Sequence, residues 1–299
     1  MQIIEQNAEY IEHGSLVHPL KFIERVGRTC YKSEAMITDE SAERFVKNLI
    51  RNGHMAMLEH HTIHLKIQIP DFADYARFMQ NMSAEKYLTI SFFGDFLIVT
   101  GSYRALDESS LPQLLGINME HFLRSETDIQ SELVQEIDRQ ELIKIMGENK
   151  KECSKHIHHT VRFTTDRGIS HEIVRHRNCA FAQESTRYVN YGKKGEIAVI
   201  KPEFESEDAK AWWLYSCRQA EKAYMDMIDA GVTPQMARSV LPTCLKTELV
   251  VTASEEEWQH IIDLRYKGTT GAPHPQVKEL MEIILPTLEV KSEGRISGK

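Results

Sequence analysis

Cysteine is scarce in this 299-residue chain. The five present, Cys30, Cys153, Cys179, Cys217 and Cys244, form no CxxC pair and are odd in number, which argues against a disulfide framework or a zinc ribbon and fits reduced thiols. Long apolar runs are missing too. The most apolar stretch, Ile90 to Val99, is broken by Gly94 and Asp95 and falls far short of the ~20 residues that span a bilayer. Met1 to Glu9 mixes apolar and polar residues without the basic start and apolar core of a signal peptide, so a cytoplasmic protein is expected. Basic charge is not in excess: Lys and Arg total 36 against 44 Asp and Glu, a formal net charge of -8. No nucleic acid or membrane partner is therefore expected, because either needs a broadly basic surface. No GxGxxG turn, P-loop or GxSxG elbow occurs, so a nucleotide would be held by something other than a Rossmann or Walker turn.

What the chain does have is 41% hydrophobic residues, enough to bury a sizeable core. Spacing predicts a helix from Thr38 with Phe45, Val46, Leu49 and Ile50 on one face and Gly53 closing it. Glu59 to Pro70 alternates as a strand, and Tyr87 to Leu106 reads as a hairpin about Gly94-Asp95. Thr127 to Met146 returns to helical spacing, with Ile129, Leu133, Ile137 and Ile143 or Met146 inward, and His158 to Val174 reads as a strand. Ser206 announces a long helix that Gly231 closes, Thr233-Pro234 starts another, and Ser254 with Glu257 forms a capping box before Trp258. A last helix starts at Pro275, stopped or kinked at Pro286, and the polar tail from Lys291 is expected to fray. Residues 97–106 and 249–258 echo each other, a β-branched strand running into a Thr-small-Ser turn, as a repeat or a coincidence. No low-complexity linker divides the chain. It reads as one α+β domain over 1–299, a mostly antiparallel sheet flanked by helices, with a large internal insertion at about 71–155.

The densest chemistry lies in Arg175-His176-Arg177 and, after seven intervening residues, Ser185-Thr186-Arg187. In an extended segment Arg175 and Arg177 share a face and His176 takes the other, an arrangement Ser185 and Arg187 repeat. Guanidinium forks suit phosphate or carboxylate oxygens, and a nearby hydroxyl completes such a cradle; the plain alternative is a basic strand face paired with acids. His171-Glu172 and His176 are spaced by five residues where a zinc protease needs four, and His156, His158 and His159 read as an exposed polar loop, so no metal is expected.

These residues resemble a known family. Arg175-His176-Arg177 followed by Ser185, within HEIVRHRNCAFAQESTRY (171–188), is similar to the signature of the flavin-dependent thymidylate synthases, in their long-chain branch. GHMAMLEH (53–60), ARSVLPTCLKTELVVTA (237–253) and Leu264-Arg265 followed by His274-Pro275-Gln276 resemble three further segments of that family in order. The resemblance implies reductive methylation of dUMP to dTMP, with methylenetetrahydrofolate as carbon donor, NADPH as reductant and FAD as hydride carrier. It also implies a homotetramer whose active sites combine residues from several subunits.

Carried over by position, Glu172, Arg175, Gln183, Glu184, Ser185, Thr186, Arg187 and Arg238 look like dUMP-binding residues. Arg175, His176, Arg177, His54, Glu59 and His260 look like residues on the FAD side. Arg265 corresponds to the arginine that favours ionisation at the pyrimidine, and a permanent cation suits that task. The chain departs from the family where Ser254 and Glu256 replace an Asn-x-Arg pair, and Ala180 and Ala56 replace hydroxyls; TGSYRAL (100–106) resembles that turn, with Arg104 as the basic group. Two alternatives stand beside the family's activity: a nucleotide- or flavin-binding homologue without turnover, suggested by Glu256, and a flavin- or folate-dependent uracil methyltransferase acting on RNA, disfavoured by the lack of an extended basic surface.

Overall fold

Two short strands, β1 (Gln2–Ile4) and β2 (Asn7–Ile11), precede helices α1 (Pro19–Tyr31) and α2 (Ser41–Arg51) and a 3-10 turn at Met55–His60. Then come β3 (Thr62–Gln68), β4 (Thr89–Phe92), β5 (Phe96–Ser102), β6 (Val134–Glu136), α3 (Arg139–Met146) and α4 (Lys150–His156). The rest carries β7 (His158–Asp166), α5 (Arg167–Ile173), β8 (Ala180–Gln183), β9 (Ala198–Ile200), α6 (Glu207–Asp229), β10 (Lys246–Ser254), α7 (Glu255–Ile262) and α8 (Pro275–Lys291). The computed structural model describes residues 1–12, 18–69, 85–124, 133–187, 189–194 and 197–299, with Ala76, Phe78, Gln80 and Met82. Among them no helix is long and apolar enough to cross a membrane.

Two antiparallel four-stranded sheets, β2-β7-β10-β8 and β4-β5-β3-β6, form the frame, and β1 pairs with β9 in parallel. This is the expected α+β arrangement of antiparallel sheets flanked by helices. In β10, Leu249, Val251 and Ala253 face Trp258 of α7 and Leu280 and Met281 of α8, while Val250 faces Phe22 and Val26 of α1. Both faces are covered, which is why β10 reads as an apolar run. Ile63, Leu65 and Ile67 of β3 bury beneath Val46 and Leu49 of α2, and each such aliphatic contributes about 1.5–3 kcal/mol. Helices α3 and α4 cover the other face of the second sheet at Ile98. The hairpin β4–β5 turns through Gly94, at φ +75°.

Several expectations change. Helix α2 starts at Ser41 rather than Thr38, because the Thr38 N–H donates to Ser41 Oγ. Gly53 closes it at φ +70°. Of the helix expected over Thr127 to Met146, Ile129 lies outside the described residues, and Val134–Glu136 is instead an edge strand paired with Leu65–Ile67. Leu133 is consequently exposed, while Ile137 and Met146 bury as expected; pairing with a distant strand overrides a helical count. The strand expected over His158 to Val174 ends at Asp166, whose carboxylate accepts the Ile169 N–H at 2.7 Å and starts α5.

His156 and His159, expected in an exposed loop, are fully buried. His156 shares hydrogen bonds with Ser91 and Thr100, and His159 with Tyr10 and Glu255. Helix α8 continues through Pro286 to Lys291. The tail does not fray: Arg295 donates to both oxygens of buried Glu255, at 2.6 and 3.1 Å, and Ile296 is buried. The sequence echo has a structural counterpart, since Ser102 and Ser254 each accept an N–H three residues on and cap the helix that leaves a strand.

Candidate functional site

Helix α5 begins against β10 and points its end at the turn after α7. Its Glu172 meets Arg265, which stands in a single π-helical turn, Asp263–Lys267, that widens α7 at its end. Such turns shift side chains out of α-helical register and recur at functional sites. Gly268 ends it at φ +71°, where a Cβ would lie 2.8 Å from the Gly271 carbonyl oxygen, so only glycine fits. Arg265 donates from Nη1 to Glu172 Oε2 and from Nη2 to the Glu172 carbonyl, both at 3.0 Å, and from Nε to His176 Nε2 at 3.2 Å. Three of its five N–H groups are thereby held, leaving one on each terminal nitrogen. Glu172, Leu264, Arg265, Thr270 and His274 line a pocket of about 590 Å³.

His176 is buried between Arg265 and Glu257, with His260 edge-on at 5.7 Å between ring centroids. Burial opposes the Glu257 charge, but His176 and Asn178 as donors, with His260 nearby, hold its carboxyl below the ordinary value. Ligand atoms of His176, Glu257 and His260 lie within 4.8 Å of one another, a metal-like spacing. Because Arg265 Nε–H occupies His176 Nε2, the ring proton sits on Nδ1, the nitrogen facing Glu257. That is the atom that would have to ligate, so His176 and Glu257 act here as a hydrogen-bonded imidazole–carboxylate pair. The expected extended run through Arg175-His176-Arg177 is a turn between α5 and β8; the alternation survives, with His176 buried and both arginines exposed.

A second cluster surrounds Glu184. Its buried carboxylate accepts from Lys246 Nζ at 3.0 Å and Tyr191 Oη at 3.2 Å, with Lys32 Nζ at 3.7 Å. Lys246 also contacts Glu248. Burial opposes the Lys246 charge, yet the two carboxylates hold its pKa above the ordinary value, while burial and the neighbouring Lys246 lower that of Lys32. Arg167, at the start of α5, donates to the Glu184 carbonyl at 3.1 Å; burial lowers its pKa, with Arg238 adding to the effect.

Beside this cluster Arg238 Nη1 donates to Thr186 Oγ1 at 3.1 Å. Gln183 Nε2 donates to Ser170 Oγ at 2.8 Å. Ser185 and Arg187, expected to be extended, lie in a turn where Ser185 Oγ accepts the Arg187 N–H at 3.3 Å.

Thus Glu172, His176, His260 and Arg265 come together, as do Thr186 and Arg238 beside Glu184. His54 and Glu59 belong to another neighbourhood, the 3-10 turn on α1 and β8: His54 bonds Tyr31 Oη at 3.0 Å, and Glu59 accepts from Arg104 at 2.7 Å. Arg104, read as the basic group of a turn resembling the family's Asn-x-Arg pair, is thus the partner of Glu59. Glu256 is exposed, and its charge helps raise the Lys155 pKa, after the Glu152 hydrogen bond and the Glu152 charge. Sequence reasoning missed Lys246, Tyr191, Arg167, Lys32 and Glu257. Lys246 and Glu248, two apart at the start of an apolar strand, are one usable signal, since they share a face.

The sequence profile of the family described as "Thymidylate synthase complementing protein" matches residues 15–77 and 111–290. Among curated relatives, a flavin-dependent thymidylate synthase of Geobacter sulfurreducens is 34% identical over 100 residues, covering 33% of this chain and 43% of that protein. Another from Corynebacterium aurimucosum is 32% identical over 143 residues, covering 42% and 55%. The chain spans about half the length of these relatives. Among solved structures, a UMP/dUMP methylase PolB from Streptomyces cacaoi, bound with 5-Br UMP, aligns over 53% of this chain and 85% of that one with a TM-score of 0.42 and 20% identity. With well over half of its residues matched by the profile, and with those matched segments supplying Arg265, Glu172, His176, Thr186 and Arg238, the chain belongs to the thymidylate synthase complementing protein family.

Proposed function

We propose that this chain is a flavin-dependent thymidylate synthase, converting dUMP to dTMP with methylenetetrahydrofolate as carbon donor, NADPH as reductant and FAD as cofactor. One observation carries the reading: Arg265 is held by Glu172 and His176, both from the 171–188 motif and not from its own, with two N–H groups free to face a pocket. A cation so fixed is suited to charge that develops on a pyrimidine ring, because it need not reorganise as the charge appears. Glu172 orients the guanidinium, and His176 accepts its Nε–H. Arg238 and Thr186 are suited to the nucleotide phosphate, and the Lys246–Glu184 pair stiffens the loop that carries Thr186.

The donor set fits FAD. Arg175 and Arg177 are exposed and suited to its phosphates, and exposed His260 offers a ring nitrogen, whereas His176 is buried with its ring turned to Arg265 and Glu257; bound flavin would supply hydride transfer. His54 and Glu59 are a neighbourhood away from Arg265 within one chain, which fits a homotetramer with composite sites. The test is direct: the purified protein carries FAD, is a tetramer, and forms dTMP from dUMP only with methylenetetrahydrofolate and NADPH. A colourless monomer that binds no dUMP contradicts the proposal; tight binding of dUMP and FAD without turnover favours the non-catalytic alternative.

A further inference from the structure

Two thiols that this function leaves unused lie face to face. Cys217 Sγ and Cys244 Sγ are 3.4 Å apart across 27 residues of sequence. Cys217 is one of two buried residues, with Tyr224, in the 23-residue α6. Cys244 lies just before β10, in a segment whose Thr243 and Leu245 carbonyls accept from the Gly168 and Arg167 N–H groups of α5. The pair therefore sits where a lightly buried helix meets the segment that joins Arg238 to the site.

We propose that Cys217 and Cys244 form a redox modification site that closes to an intrachain disulfide on exposure to a low-molecular-weight disulfide. The thiolate of Cys244 attacks one sulfur of the reagent, the reagent's S–S bond breaks, and one equivalent of its thiol leaves. Cys217 then loses its proton to solvent and attacks Cys244 Sγ, breaking the mixed disulfide and releasing the second thiol. Two cysteine thiols are oxidised and one reagent disulfide is reduced to two thiols.

The order follows from the surroundings. Cys244 is half-buried, whereas Cys217 is 2% exposed. Burial raises both thiol pKa values, but the contact with Cys217 works against the rise at Cys244, while the same contact pushes Cys217 further up, to about 12. The sulfurs must close from 3.4 Å to a bond of about 2.05 Å, a side-chain adjustment. High thiol pKa values make the exchange slow, so the site answers sustained oxidation rather than brief exposure.

The folded full chain should be incubated with oxidised glutathione and examined by non-reducing peptide mapping and thermal unfolding. Expected are loss of two hydrogens, a peptide joined through residues 217 and 244, reversal by dithiothreitol, and a Tm higher by about 5 °C or more, because a long loop of the unfolded chain is closed. Cys217→Ser should hold glutathione on Cys244, and Cys244→Ser should leave Cys217 unmodified. The proposal is overturned if wild-type Cys217 and Cys244 stay reduced, if Cys244 accumulates glutathione without cross-linking, or if the cross-link forms and Tm falls. Wild-type mapping decides the matter even if a variant does not fold.

Discussion

Replacing Arg265 by lysine tests the proposed function most sharply. The guanidinium makes three hydrogen bonds at 3.0–3.2 Å to two partners, from all three of its nitrogens. A lysine ammonium can follow the Glu172 carboxylate, but it cannot at the same time present a planar pair of N–H groups to the pocket and keep the bond to His176. What is lost is stabilisation of charge that grows in the transition state, so kcat should fall more than binding weakens. A fixed donor of this kind is worth about 10²–10³ in kcat, or roughly 2.7–4 kcal/mol. Stopped-flow absorbance should time flavin reduction by NADPH and the dUMP-dependent oxidation separately, in wild type, Arg265→Lys and Arg265→Ala. The oxidative step should slow by about that factor in both variants, with dUMP affinity changed less than about tenfold. Lys267→Ala, which removes only the pair with Asp263 at 2.9 Å, should alter neither step. If reduction slows in Arg265→Ala while the oxidative step keeps its wild-type rate, the role given to this arginine is wrong.

Other outcomes are equally specific. Ser185→Ala should weaken dUMP binding yet leave turnover at high dUMP, since its hydroxyl accepts the Arg187 N–H and, among the described residues, is bonded to no base; complete loss of turnover with dUMP and FAD still bound would make Ser185 a nucleophile. Glu255→Gln leaves the buried Arg295 charge with only the exposed Glu293 carboxylate beside it and should cost about 3 kcal/mol, a Tm drop on the order of 10 °C by calorimetry. A drop below about 2 °C would show that the tail contributes little. Burial lowers the pKa of His60 to about 3 and of His156 to about 4. Both are neutral when folded, so their contribution is complete above the unfolded value near 6.5 and is lost as pH falls toward 4, about 2 kcal/mol each at pH 5. Burial also lowers the pKa of His61 and of His158, both to about 4, and that of His159, so all five add to the slope of denaturant midpoints from pH 7 to 5 and His156→Gln should remove roughly a fifth of it; an unchanged slope would refute the assignment.

The caps and turns that the chain signals locally hold in the structure. Ser206 and Ser254 cap α6 and α7, Gly53 and Gly231 close helices at positive φ, and Gly94 turns the hairpin. Each depends on atoms within four residues, which a linear reading contains. The inward turn of His176 between two outward arginines was legible for a similar reason: adjacent side chains diverge even when the segment is a turn and not a strand. The residue string 171–188 and its companions pointed to the family by themselves.

The partnerships were not legible. Glu184 finds Lys246 across 62 positions, Arg265 finds Glu172 across 93, and Glu255 holds Arg295 across 40. Which acid meets which base depends on the register of β10 against β7 and β8 and on the π-turn after α7. Those in turn follow from packing a two-sided apolar strand between α1 and the pair α7 and α8. The sequence by itself determined the caps, the turns and the motif set, because they are short-range. Only the tertiary structure decided that Val134 to Glu136 becomes an edge strand, that the C-terminal tail is anchored, and that Arg265 rests on Glu172 instead of on its near neighbour Asp263. The physical reason is that burying a charge is tolerable only beside a fixed partner, and the partner is set by the fold as a whole.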